Sequence, residues 1–426
     1  MSDLTQRIAQ LSTEERVRLE ERLLAGRKHG GAQRIPRRID DGPAPLSFTQ
    51  ERLWFLAQLE PDSSAYNEAN IIHLQGPLDV PALERSLDAL SARHDSLRVC
   101  FREIDGQVMQ VADPLSPLRI PVVDLQTLIG DAQMTAAWAE IDTFTNKIFD
   151  LTQPPLWRAA LIRLAVDDHI FVRVTHHSIS DGWSSSIFWR ELRHFYAAYS
   201  GHQQPSPLPE LPVSYADFSV WQREHLQGER LTKLVDYWRK RLAGIEPLDL
   251  PTDRPRPLKS SHAGMNHSFQ LPQDLSESLN VLARASDASL YMLLLAAFQI
   301  LLHRYSGQDD IVIGSPIANR TRSEVEGLYG FFVNTLVLRA DCSGNPTFRS
   351  LLAQVRQNAL AAFGHQDLPF EKLVEELHPS RDMSRNPIVD VMFALQNVPR
   401  FEVGLPGTEM RRMQRDSDFA GTIRSK

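Results

Sequence analysis

Val174-Thr175-His176-His177-Ser178-Ile179-Ser180-Asp181-Gly182-Trp183 is the stretch on which the reading of this chain turns. Residues 169–175, rich in Ile, Phe and Val, predict a strand leading into it. Residues 183–199 predict a helix leading out, with Trp183, Ile187, Phe188, Leu192 and Phe195 on its buried side. Successive side chains on a strand point to opposite faces, so His176 and His177 should not share one task. One can face a cleft while the other packs into the fold. Asp181 stands at the helix start, where a carboxylate caps amides or meets an arginine. Gly182 lets another backbone or a ligand come close.

Several chemistries fall away at this site. Adjacent histidines rarely chelate one ion together, and no CxxC, HExxH or third ligand stands nearby, so no metal is expected. No GxSxG elbow precedes a helix, and neither Cys100 nor Cys342 has an activating context. No glycine-rich phosphate loop is present. What survives is a histidine acid–base site at a strand end. A bare His-His pair more often reads as two satisfied core side chains; the Asp181-Gly182 pair at fixed spacing favours function.

Composition agrees with a globular protein. Apolar residues make up 42% of 426, too many for a disordered chain. Forty-six basic against 53 acidic residues give a net charge of −7, which argues against a nucleic-acid partner. Two cysteines cannot build a disulfide scaffold. The N-terminus has no apolar run, and the longest one, residues 290–302, falls short of the ~20 residues of a membrane span. The expectation is a cytoplasmic protein with no membrane contact.

Outward from the motif, residues 1–25 read as two short helices, the second opened by the capping-box pattern Ser12-Thr13-Glu14-Glu15. Such a pair either docks on its own domain or serves as a docking element between proteins. Residues 26–45 read as a Gly-, Pro- and Arg-rich linker, or less readily as a site for an anionic partner. Helices are predicted over 47–59, 81–94, 215–242, 289–305 and 348–363, and strands over 310–313 and 331–339. Proline-rich breaks at 201–212 and 247–258 mark candidate boundaries. Two α+β halves of similar size result.

The segment His176-His177-Ser178-Ile179-Ser180-Asp181-Gly182 resembles the HHxxxDG signature of condensation domains of nonribosomal peptide synthetases, in the chloramphenicol-acetyltransferase-like superfamily. Other segments resemble that family in the right order. They are Ser47-Phe48-Thr49-Gln50-Glu51-Arg52-Leu53-Trp54, Arg93-His94-Asp95-Ser96-Leu97-Arg98, Tyr215-Ala216-Asp217-Phe218 and Leu250-Pro251-Thr252-Asp253-Arg254-Pro255. Gly330-Phe331-Phe332-Val333-Asn334-Thr335, His365-Gln366-Asp367-Leu368-Pro369-Phe370-Glu371 and Arg381-Asp382-Met383-Ser384-Arg385-Asn386-Pro387 follow. Together they span about 46 to 397, and details of the motifs look like the subtype joining an L-donor to an L-acceptor.

The resemblance implies two acetyltransferase-like subdomains in a V-shaped pseudo-dimer, with the motif on the floor of a tunnel between them. An N-terminal helical segment and linker over 1–45, a first subdomain over 46–212 carrying the motif and a second over 213–426 are expected. It implies amide formation between a donor thioester and an acceptor aminoacyl thioester. Donor and acceptor peptidyl carrier proteins of neighbouring synthetase modules would present both on phosphopantetheine arms, with no cofactor bound by the domain itself. By the same resemblance His177 takes the proton, or orients the amine, and His176 holds the loop. Asp181 pairs with an arginine, of which Arg320, Arg93 and Arg98 are candidates. The Gly182 amide helps place the thioester, and Trp183, Ser184 and Asn334 line the tunnel; Asn334 reads equally as a polar strand end. The chain departs from the pattern at its end. Residues 401–406 still fit, but 411–426 turn polar and basic, so the second subdomain reads as incomplete. A catalytically silent carrier-docking module and a free-standing acyltransferase with a soluble acceptor remain alternatives, with epimerisation behind them.

Overall fold

The structure, a computed structural model, describes residues 34–201, 207–256, 267–377, 386–396 and 404–413. The two helices expected over 1–25 lie outside the described residues. In chain order the elements are β1 (Ala44–Pro45), α1 (Phe48–Leu59), β2 (Asn67–Gln75), α2 (Val80–Arg93), β3 (Val99–Ile104), β4 (Gln107–Ala112) and β5 (Val122–Asp124). Next come α3 (Gly130–Asn146), β6 (Trp157–Ala165), β7 (Asp168–His176), α4 (Gly182–Tyr199), α5 (Tyr215–His225) and α6 (Gly228–Arg241). The rest are α7 (Gln273–Ala285), α8 (Leu290–Ser306), β8 (Asp310–Ile317), α9 (Ser323–Glu326), β9 (Asn334–Asp341), α10 (Phe348–Phe363), α11 (Phe370–Leu377) and β10 (Glu409–Arg412). The mixture is α+β.

The strand that carries the motif sits at the centre of the larger sheet, ordered β10-β2-β7-β6-β5. Alternation of its side chains builds two cores. Ile170, Val172 and Val174 pack with Ala137 and Ile141 of α3 on one face. Phe171 packs on the other face with Trp157 and with Phe188, Trp189 and Leu192 of α4. Leu83, Leu87 and Leu90 of α2, one helical stripe, join the second core. That helix starts at Asp79, whose carboxylate accepts from the Ala82 amide at 2.9 Å. β7 pairs antiparallel with β2 and β6, which pins His176 opposite Asn67.

The second half is built on the antiparallel ladder β8–β9, joined by a parallel bridge from Gly314 to Met392. Helices α8 and α10 cover it, with Leu293, Leu295, Ala296, Leu351, Leu352 and Val355 in its core. Among the described residues no single helix is long and apolar enough to cross a membrane.

Three expectations change. The helix expected over 215–242 is two helices, because the chain turns at Gly228 with φ 56°. The strand expected from residue 331 starts at Asn334, because the Phe332 amide donates to Asp181 at 3.0 Å instead of to a ladder. The stretch read as polar and basic from residue 411 opens inside a strand: Arg411 and Arg412 end Glu409–Arg412, which pairs as an edge with β2, and Tyr329 likewise crosses into the core of the first half.

Candidate active site

At the end of β7 the chain makes one 3-10 turn, His177–Ile179, before α4 begins. His176 is buried. The Ser178 amide donates to its Nδ1 at 3.2 Å, and the Ser178 hydroxyl lies 2.8 Å from the same atom. An amide can only donate, so Nδ1 of His176 is the accepting nitrogen. His177 is arranged the other way. Its main-chain amide donates to Tyr66 O at 2.8 Å. Its Nδ1 lies 2.6 Å from Ser180 O, and a carbonyl only accepts, so the proton sits on Nδ1. The lone pair of the neutral ring then falls on Nε2. The ring leans on Phe331, 4.6 Å between centroids, with 13% of the side chain exposed.

Asp181 closes the turn. Its Oδ1 caps α4 through the Ser184 amide at 2.7 Å, and its Oδ2 accepts from the Phe332 amide. Arg320 Nη2 stands 3.2 Å from Oδ1 and 2.9 Å from Ser184 Oγ, while Nη1 donates to Val325 O and Leu328 O. Both side chains are withdrawn from solvent, Asp181 at 0% and Arg320 at 2% exposure. Burial pulls the guanidinium below its ordinary pKa, and the Asp181 charge opposes that shift. The guanidinium also lies 4.1 Å from the Phe332 ring centre. The pair thus ties the motif turn of the first half to residues 320–332 of the second.

The other two arginines are engaged elsewhere. Arg93, on the face of α2 that meets α4, pairs with Glu191 at 3.1 Å. Arg98 pairs with Asp95 at 2.8 Å and donates to the carbonyls of Ser91 and Asp113. The three residues expected to line a tunnel, Trp183, Ser184 and Asn334, all hydrogen-bond to main chain of the second half. Ser184 is wholly buried, donating to Gly330 O at 2.7 Å and accepting from Gly330 N at 3.0 Å. Trp183 Nε1 donates to Glu326 O and so holds α9. Asn334 is a buried clamp: its Nδ2 donates to Gln366 O and Leu368 O, and its Oδ1 accepts from the amides of Thr335 and Phe370. Gly182 is exposed, and a Cβ placed there would meet nothing within 4 Å. Open space therefore adjoins the motif on that side.

Residues without any local signal in the sequence stand behind His177. Tyr329 donates to Ser180 Oγ at 3.0 Å, and burial raises its phenol. Arg173 of β7 is buried with Nη2 on Ser185 Oγ, while its Nε and Nη1 lack protein partners among the described residues. Burial lowers that guanidinium, against the opposing influence of Tyr329 and Glu68. Glu68 of β2 places Oε1 3.4 Å from His177 Nδ1. Only the pairing of β2 with β7 brings it there. A cavity of about 580 Å³ lies at the other end of β2, between His73, Gln75 and Met410, and is not part of this site. Among the described residues no three His, Cys, Asp or Glu side chains gather as a metal site.

The family described as Condensation domain matches residues 41–420. A linear gramicidin synthase of Brevibacillus parabrevis is 49% identical over 354 residues, which is 83% of this chain and 7% of that protein. The chain thus spans a small fraction of the length of such relatives. Among solved structures, the X-domain from teicoplanin biosynthesis superposes with a TM-score of 0.80 at 28% identity, covering 90% of this chain and 84% of that one. The first condensation domain of the CDA synthetase superposes with a TM-score of 0.70 at 20% identity, covering 88% and 87%. The fold is theirs.

Proposed function

The chain belongs to the condensation-domain family of nonribosomal peptide synthetases, and on that premise we propose that it joins a donor acyl or peptidyl thioester to the amine of an acceptor aminoacyl thioester. Carrier proteins present both reactants on phosphopantetheine arms. The single observation that supports this reading is the state of His177. With the Nδ1 proton held by Ser180 O, the neutral ring carries its lone pair on Nε2, and the side chain is partly exposed.

The chemistry needs little more. A thioester is already activated, so no covalent enzyme intermediate is required, and alignment of two tethered reactants supplies much of the rate. The acceptor nitrogen attacks the donor carbonyl, and His177 Nε2 takes the proton that the nitrogen sheds as the C–N bond forms. The C–S bond breaks, the proton goes on to the departing thiolate, and the acyl chain ends on the acceptor carrier. An imidazole, with a reference pKa of ~6.5, is suited to that transfer at neutral pH. The Gly182 amide, at the helix N-terminus, faces the developing oxyanion. Asp181 and Arg320 fix the turn and take no part in proton transfer. The domain binds no cofactor of its own; the arms arrive with the carriers.

The test is a mixture of purified protein, donor-loaded carrier and acceptor-loaded carrier, read by intact-protein mass spectrometry. The acceptor carrier is expected to gain the mass of the donor acyl group. Carrier binding without that gain, or equal turnover with a free soluble amine, would overturn the proposal.

A further inference from the structure

His177 must carry a positive charge while it holds the acceptor's proton, and its surroundings decide what that charge costs. From β7 a buried cation, Arg173, lies behind the turn. From residues 329–331 come a phenol raised by burial, hence neutral, and the Phe331 ring. The residue before β2, Tyr66, contributes a carbonyl and another phenol raised by burial. From α4 the Ser185 hydroxyl is engaged by Arg173. The motif turn supplies the Ser180 carbonyl and the Asp181 carboxylate, which is consumed by Arg320 and two amides. Every one of these is neutral, cationic or already balanced.

β2 adds the opposite sign. Glu68, directly across the ladder from Thr175, sends its carboxylate to within 3.4 Å of the protonated nitrogen of His177. Its side chain is 15% exposed, so its charge is screened far less than at an open surface. The same charge opposes the burial penalty on Arg173. We infer that Glu68 is a positioning residue for the reaction: its carboxylate holds the Nδ1–H tautomer of His177 and balances the imidazolium formed when Nε2 accepts the proton. The inference rests on His177 being the base proposed above. It adds a carboxylate from a neighbouring strand that no feature of the HHxxxDG segment specifies.

The experiment follows the His177 ring by NMR of imidazole-labelled full chain across pH, in wild type and in Glu68→Gln. The variant is expected to lower the His177 pKa by about half a unit to one unit, a modest share of what an opposite charge at this range produces. The acid limb of the pH profile of kcat/KM should move by the same amount, with the rate at neutral pH reduced a few-fold. Glu68→Asp, which keeps the charge, should restore most of the shift. A His177 titration unmoved in a folded Glu68→Gln protein would overturn the inference. If that variant does not fold, Glu68→Ala against Glu68→Asp gives the same comparison. The titration needs no carrier: a shifted pKa without condensation would sink the proposed function and leave the Glu68–His177 coupling standing. Normal condensation with an unmoved pKa would do the reverse.

Discussion

Removing Arg320 should destabilise the protein by about 4–5 kcal/mol, and removing the Asp181 charge as well should add little to that loss. The magnitude follows from the contacts. Arg320→Met leaves Asp181 fully buried, though two amides, of Ser184 and Phe332, still donate to it. That places the cost of the stranded carboxylate at the lower end of the range for broken buried pairs, about 3 kcal/mol. The carbonyls of Val325 and Leu328 also lose their guanidinium donors, which adds roughly 1 kcal/mol or a little more. Asp181→Asn strands the cation instead and should cost about 3 kcal/mol. The double variant buries no lone charge, so the two losses should fall short of their sum by about 2–3 kcal/mol. Denaturant unfolding of wild type, both single variants and the double variant, followed by tryptophan fluorescence, gives the cycle. Losses that add within about 0.5 kcal/mol would mean that the pair does not couple the two halves and does not hold the motif turn.

Gly182→Ala should leave stability within about 0.5 kcal/mol of wild type, since the new Cβ meets nothing, yet slow product formation if substrate occupies that space; unchanged rates would place the substrate elsewhere. Gly330→Ala should destabilise by about 1–3 kcal/mol in thermal melts, because its Cβ would stand 2.1 Å from the Tyr215 ring, which hydrogen bonds to Ser47 Oγ and Phe331 O pin in place. Burial raises the carboxyl of Glu191, but the His94 hydrogen bond and the charges of His94, Arg93 and Arg190 bring it, on balance, below its ordinary value. Its folded-state pKa is therefore below the unfolded one. The stability it contributes is complete above about pH 5 and is lost as pH falls through the folded pKa. Glu191→Gln should flatten that acid slope in unfolding experiments; an unaltered slope would remove Glu191 as its source.

Much of the site's local frame was legible because it depends on neighbours in sequence. The run of β-branched and aromatic residues before His176 and the helical stripe after Trp183 place the turn between β7 and α4, and Ser47, Asp79 and Ser289 cap their helices as side chains of that kind do. The choice among Arg93, Arg98 and Arg320 was not legible, because it depends on how α2 meets α4 and on where residues 320–332 cross into the first half. Ser184 and Asn334 look like polar residues suited to facing a substrate; in the fold their hydrogen bonds are spent on main chain from distant segments. Arg411 and Arg412 read as the start of a basic tail, because charged residues suit an edge strand, here the end of β10, as well as a solvated segment. Glu68 gives no signal at all: its neighbourhood with His177 is a consequence of strand register.

The proposed condensation turns on proton transfer at His177, so His177→Ala is the decisive variant. With loaded donor and acceptor carriers, the rate of mass gain on the acceptor should fall by a factor of about 100 or more, the smaller end of what a positioned general base contributes. The melting transition of the variant should match wild type. A folded His177→Ala protein that extends the acceptor at near the wild-type rate would show that the imidazole is not the base.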